Sequence, residues 1–331
     1  MTRRDRTTGL PAPQPRSGSQ GSMGGTLFST RLGQIAVIGT AVVALLVVLG
    51  FFAYQWYDEN VAHPGKVILS VAEEDFTLSY YADRLAPFAT ANQHTDLGIA
   101  AQALMVKLEE EAVTITAAAQ RGIDVSDDDV NQAIATTLGV PFGGQGSAFD
   151  LRYRGELRTV GMSDSHYRQL TAALDAARRL REALRAEIGE AGEILLLRVV
   201  ATNTIEEALA VRTRIEGGED MGTIAQTESI HLPSRQEDGL LLAPPTLLDE
   251  VLQQALVGVE ITELAGPIQV ANGFWVIRPE RTDPEGTYSP QQLDQLLQLR
   301  FAEVLAEVRE QITVERDFTS DDIDWAVAHT G

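Results

Sequence analysis

The chain contains no cysteine, which rules out disulfide frameworks, thiolate metal sites, cysteine nucleophiles and lipid attachment through sulfur. Lysine is nearly missing as well, since Lys66 and Lys107 are the only two and every other basic residue is arginine. The histidines, at positions 63, 94, 166, 231 and 329, are scattered. None stands at a paired-ligand spacing such as H-E-x-x-H, so no metal is expected. The glycines at Gly143-Gly144-Gln145-Gly146 lack the following Lys-Ser/Thr of a phosphate-binding loop. No G-x-S-x-G turn announces a serine nucleophile. The chemistry to look for needs neither cofactor nor covalent catalysis.

Basic charge is scarce and confined. Residues 1–34 hold Arg3, Arg4, Arg6, Arg16 and Arg31 against Asp5, and residues 35–57 hold no charge. With a net charge of -21 for the whole, the remainder carries a surplus of 25 acidic residues. Such a body repels phosphate backbones, so nucleic acid is excluded as a partner.

The stretch Ile35 to Tyr54 is uncharged over 20 residues, about 30 Å as a helix, which matches the hydrocarbon thickness of a bilayer. Tyr54, Trp56 and Tyr57 sit where the chain would leave the apolar layer, with arginines before the run and Asp58-Glu59 after it. This predicts a single-pass anchor over 35–57 in the cell membrane, a disordered cytoplasmic tail over 1–34 and an extracytoplasmic body from residue 58. A cleaved signal peptide is the rival reading, but Phe51 breaks the small-x-small pattern before Ala53. A buried core helix would need a polar face, and none is there.

Beyond the anchor, Val67 to Val71 reads as a short strand. Leu97, Ala101, Leu104, Leu108, Ile115 and Ala119 form one apolar stripe of a long helix ended by Arg121-Gly122. Ser126 caps a further helix, residues 139–149 form a glycine-rich loop, and Ser163 caps a helix reaching about Ile188. Residues 67–188 therefore read as an all-helical layer. At Glu193 the pattern changes. Ile194 to Val200 is a buried strand, and Thr204-Ile205-Glu206-Glu207 is a capping box for a helix closed by Gly217-Gly218. A short helix starts at about Met221, an irregular loop then runs to Pro245, and a helix covers 247–256. Two strands then flank Ala271-Asn272-Gly273, an Asn-Gly hairpin signal. Pro284-Glu285-Gly286 reads as a linker, after which Ser289-Pro290 opens a helix striped by Leu293, Leu297, Val304, Val308 and Ile312. The fold class is α+β: a helical domain over 58–190, an inserted α+β domain over 191–283, and C-terminal helices over 284–331 that pack back on the first part.

Lys107-Leu-Glu-Glu-Glu-Ala-Val, followed by Arg121-Gly-Ile-Asp-Val-Ser-Asp-Asp-Asp-Val, resembles the chaperone segment of foldases of the SurA, PpiD and PrsA type. Glu193-Ile-Leu-Leu, Glu206-Glu-Ala-Leu-Ala, Ile224-Ala-Gln-Thr-Glu-Ser and Gly266-Pro-Ile-Gln-Val-Ala-Asn-Gly-Phe-Trp-Val-Ile resemble a parvulin-type (PpiC) peptidyl-prolyl isomerase domain. The resemblance covers about residues 67–313. It implies unfolded or nascent exported proteins as partners, with the translocation machinery nearby, and no cofactor.

A parvulin site has two histidines facing across the sheet, a cysteine or aspartate beside them, and apolar walls. Carried over by resemblance, the catalytic positions fall on Glu193, Trp275 and His231, and the substrate-binding walls on Leu248 and Leu252. The apolar walls persist and the polar set is replaced, which implies binding with weak or lost catalysis. Each position also has a plain structural reading: an exposed strand end, a packed core tryptophan, a solvated loop histidine. Three functions follow: a membrane-anchored chaperone, a working isomerase with an altered polar set, or a non-catalytic envelope scaffold.

Overall fold

The computed structural model describes residues 31–94 and 96–330. The tail anticipated over 1–34 lies, as far as residue 30, outside the described residues. The chain divides into two units, residues 1–64 and 65–331. In the first, α1 (Arg31–Tyr57) is one continuous helix followed by a π-helical turn, Asp58–Ala62. Among the described residues it supplies the one stretch long and apolar enough to cross a membrane, over Val42–Ala62. Its side chains from Val42 to Tyr57 are exposed.

The second unit begins with a hairpin, β1 (Val67–Val71) and β2 (Glu74–Thr77), and continues through α2 (Leu78–Ala91), α3 (Leu97–Gln120), α4 (Asp127–Leu138), α5 (Ala148–Val160) and α6 (Asp164–Ile188). Each helix starts where an oxygen side chain accepts a free amide of the first turn: Thr77, Asp96, Ser126, Ser147 and Ser163. The all-helical expectation for 67–188 needs correcting. β1 is the middle strand of a three-stranded sheet, β2-β1-β7, whose third member, β7 (Val314–Arg316), returns from the C-terminal end. Helix α5 was also unforeseen, and its exposed Leu151 breaks the apolar stripe.

A second sheet follows, ordered β4-β3-β6-β5 and antiparallel throughout. Its strands are β3 (Ala191–Thr202), β4 (Leu240–Ala243), β5 (Ala265–Val270) and β6 (Gly273–Thr287). Between β3 and β4 come α7 (Ile205–Glu216), α8 (Met221–Glu228), which starts where the short helix was expected, and the single turn α9 (Leu232–Arg235); α9 and β4 partly order the loop foreseen before Pro245. The helix expected over 247–256 is a 3-10 turn, Pro245–Leu247, then α10 (Glu250–Leu256), with Leu248 extended between them. Residues 284–286 are not a linker: they belong to β6, where Gly286 pairs with Gly192.

Side chains alternate across this sheet as a pleated strand requires. Leu197, Val199, Ala201, Trp275 and Ile277 share one apolar cluster with Leu248 and Leu252, while Val200 and Val276 face Ala208, Val211 and Ile224 on the other side. The β5–β6 turn is Ala271-Asn272, closed by the pair Val270–Gly273. Glycine is needed at 273, where φ is +126° and a Cβ would stand 2.3 Å from the Thr202 carbonyl oxygen.

The chain ends with α11 (Pro290–Arg309), β7 and α12 (Ser320–His329). Phe301, Val304 and Val308 of α11 are buried with Leu104 and Leu108 of α3 and Leu180 and Leu184 of α6. The apolar stripes of these three helices thus close one core, which none could do alone.

Candidate functional site

Four of the five sequence-derived positions converge on one cleft of about 360 Å³. Leu248, Leu252 and Trp275 line it, and all three are buried. Leu241, Leu247 and Val270 extend the apolar lining, and half-buried His231 lines it too.

His231 reaches this place through backbone bonding. Ser229 is buried, and its Oγ accepts from the backbone N–H of Ala201 at 3.1 Å and of His231 at 3.3 Å. Ile230 N–H donates to the Ala201 carbonyl at 2.8 Å, so the loop runs along the end of β3. Ala201 pairs with Trp275 on β6, and the His231 ring lies 4.9 Å from the Trp275 ring, centroid to centroid, tilted by 53°.

The polar atoms of the cleft divide into those with partners and those without. His231 Nδ1 accepts from the Ser234 N–H at 3.4 Å and lies 2.7 Å from Ser234 Oγ. A backbone N–H can only donate, so the neutral ring carries its proton on Nε2. Burial lowers the His231 pKa and keeps the ring neutral. Trp275 Nε1 is buried without a hydrogen-bond partner among the described residues. Asp249 is the one charged residue of the lining, and its Oδ1 caps α10 by accepting from Val251 N–H at 3.0 Å.

Glu193 does not belong here. It is exposed in the irregularity where the β3–β6 register slips between Gly192 and Ile194. Eight residues of strand, about 26 Å, separate it from Ala201. Two positions that face each other across the sheet must share a register, and the residue opposite Trp275 is Ala201. The side chain opposite Trp275 is thus the methyl of Ala201. Sequence reading also missed Ser229, Asn272, Gln292 and Gln295. Ser229 ends the Ile224–Ser229 stretch and Asn272 lies three residues before Trp275, so both were within reach. The two glutamines come to the cleft from α11, which local pattern does not reveal.

Residues 200–281 match the family model of the rotamases, described as the PPIC-type PPIASE domain. The chain therefore carries a PPIC-type peptidyl-prolyl isomerase domain, built on the second sheet. Among solved structures, it is similar to the peptidylprolyl isomerase PrsA of Bacillus anthracis, at 15% identity over 63% of this chain and 96% of that one, with a TM-score of 0.41. It is similar to a structure from a study of PEB4 and Cj1289, described as SurA-like chaperones of Campylobacter jejuni, at 16% identity over 56% and 90%, TM-score 0.25. It is also similar to the parvulin domain of PpiD from E. coli, at 22% identity over 28% and 92%, TM-score 0.26. No curated protein matches the chain.

Proposed function

We propose that the protein is a membrane-anchored foldase whose cleft holds an apolar, proline-containing segment of an unfolded exported polypeptide. The carrying observation is a cleft walled by Leu241, Leu247, Leu248, Leu252 and Val270, with Asp249 as its one charged residue, on a sheet that the rotamase family model matches in part. In this reading α1 is the anchor, with the arginine-bearing N-terminus in the cytoplasm and the acidic body outside. Residues 58–190 and 284–331 form the chaperone-like part, and residues 191–283 the inserted binding domain.

Magnitudes favour brief occupancy. Burying one aliphatic side chain contributes about 1.5–3 kcal/mol, less than the roughly 4 kcal/mol of a millimolar complex. Such a cleft samples segments and releases them, as a foldase must.

Catalysis is a separate matter. The prolyl barrier falls only if polar groups stabilise the twisted amide more than the planar one. With a methyl at Ala201 and an indole at Trp275, two polar positions are gone, and one lost donor costs roughly 3–4 kcal/mol, a factor of about 100–1,000. Isomerase activity is then weak or absent. A second reading has its own observation: His231 Nε2–H and Trp275 Nε1–H are two N–H donors at one cleft, so a polar set rebuilt around His231 could still turn over prolyl bonds.

One comparison tests both. The full chain in detergent micelles is expected to suppress aggregation of an unrelated unfolded protein and to accelerate a proline-limited refolding reaction little. Leu252→Asp should remove the suppression, and His231→Ala should change it little. Strong acceleration abolished by His231→Ala would favour the second reading, while suppression indifferent to Leu252→Asp would remove the cleft from the function.

A further inference from the structure

Helix α11 lies in two places at once. Its C-terminal half, through Phe301, Val304 and Val308, is sealed in the core of the helical part. Its first turns form a wall of the cleft, which Gln292 and Gln295 line. From Pro290 to Val308 is about 27 Å of continuous helix. The wall of the cleft is therefore held by the other half of the molecule.

The two glutamines differ in what they have left to offer. Both ends of the Gln292 carboxamide are committed: Oε1 accepts from Ser289 N–H at 2.9 Å, closing the capping box, and Nε2 donates to the Leu242 carbonyl at 2.8 Å. Leu242 belongs to β4, the edge strand of the sheet, so this bond ties α11 to the edge. Gln295, three residues on and so on the same helical face, is exposed, and its carboxamide makes no hydrogen bond among the described residues. Asn272, from the β5–β6 turn, lines the same cleft in the same uncommitted state. Each carboxamide offers two donors and an acceptor, the complement of a peptide group.

We infer that Gln295 is a substrate-binding residue that contacts the peptide backbone of the bound segment, and that Gln292 positions it, so that the cleft is complete only with α11 in place. The family match ends at residue 281, so this wall is an addition to the rotamase fold. It fits the cleft for uncharged extended backbone beside an apolar side chain. The inference rests on the cleft being the polypeptide site proposed above.

The test uses the full chain in detergent micelles and a fluorescein-labelled peptide of sequence Gly-Ala-Leu-Pro-Ala-Gly, read by fluorescence anisotropy. Gln295→Ala removes one neutral hydrogen-bonding group and is expected to weaken binding about fivefold. Gln295→Glu, which loses both donors and adds a charge, should weaken it at least as much. Gln298→Ala, also exposed on α11 but outside the cleft, should leave it unchanged. Leu252→Asp and, as a less buried alternative, Leu247→Asp report on the cleft itself. If those two abolish binding while both Gln295 variants bind like the parent chain, the inference is wrong and the polypeptide site stands. If the leucine variants bind normally, the polypeptide site falls and the inference with it. An equal loss in Gln298→Ala and Gln295→Ala would show a general effect on the helix and would also overturn it.

Discussion

The helical part and the cleft differ in how most of their polar groups are partnered, although each holds one buried polar atom without a hydrogen-bond partner among the described residues, Tyr153 Oη and Trp275 Nε1. Inside the helical part Arg84 and Glu111, with side chains only 7% and 8% exposed, make a two-pronged pair at 2.9 and 3.0 Å, and Arg84 also donates to Tyr80 Oη at 2.7 Å. Buried Glu109 takes both Arg309 and Arg316, and buried Asp175 takes both Arg178 and Arg179. At the cleft, by contrast, the carboxamides of Gln295 and Asn272 are exposed and make no hydrogen bonds among the described residues. Saturated polar groups hold a structure in one state, while unsaturated ones beside an apolar surface are what a ligand can complete.

The largest effect expected from this contrast is at Glu111. Removing the carboxylate leaves the Arg84 guanidinium desolvated and unpaired, which costs about 3–5 kcal/mol when a buried pair is broken. Glu111→Ala should lower the urea midpoint of the helical part accordingly. A loss under about 1 kcal/mol would mean that water reaches Arg84 and that the contrast is overdrawn.

How far the sequence could carry this picture depends on the range of the forces involved. Helix starts were legible because a cap is a contact over three residues: Ser126 with Asp129, Thr204 with Glu207 and Ser289 with Gln292 all close as capping boxes. The hairpin at Asn272-Gly273 was legible for the same reason. Strands β2, β4 and β7 were not. They have three or four residues each, and the partners of β4 and β7 lie far away in the chain, so propensity carries almost no signal. At the site, Leu248, Leu252, Trp275 and His231 were located by the family resemblance, and they do line one cleft. Glu193 failed because facing positions are set by strand register, and the irregularity beside it shifts that register.

Trp275→Phe sharpens the comparison from the other side and carries a smaller effect. The substitution removes the unpaired N–H, relieving a desolvation penalty of about 1–3 kcal/mol, and loses a similar amount of packing. The two terms offset, so the net change is expected within about 1 kcal/mol by urea denaturation, against about 3–5 kcal/mol for Trp275→Ala. A loss above about 2 kcal/mol for the phenylalanine would show that the indole N–H is satisfied, and the cleft would then resemble the helical part.

The smallest effect concerns pH and the ring of His231. Its pKa is lowered by burial, so between the folded and unfolded values the unfolded chain binds a proton that the folded chain does not. The unfolded state then holds more protons, and stability rises with pH across that window. The contribution is fully present above the ordinary histidine value near 6.5 and is lost as pH falls through the lowered value. Protonation also turns Nδ1 from acceptor to donor, against the Ser234 N–H that it now accepts at 3.4 Å. The carboxylates whose pKa values are lowered, among them Asp83, Asp322 and Glu280, have their window lower, below about pH 4.5, so they leave the range from pH 7.5 to 5.5 clear. Other histidines are common to both proteins in a difference measurement between the parent chain and His231→Gln. The parent should lose more stability than the variant on going from pH 7.5 to 5.5, and bind the labelled peptide less well at the lower pH. Equal losses in the two proteins would place the ring in water at all times, and His231 would then be a solvated loop residue with no part in the cleft.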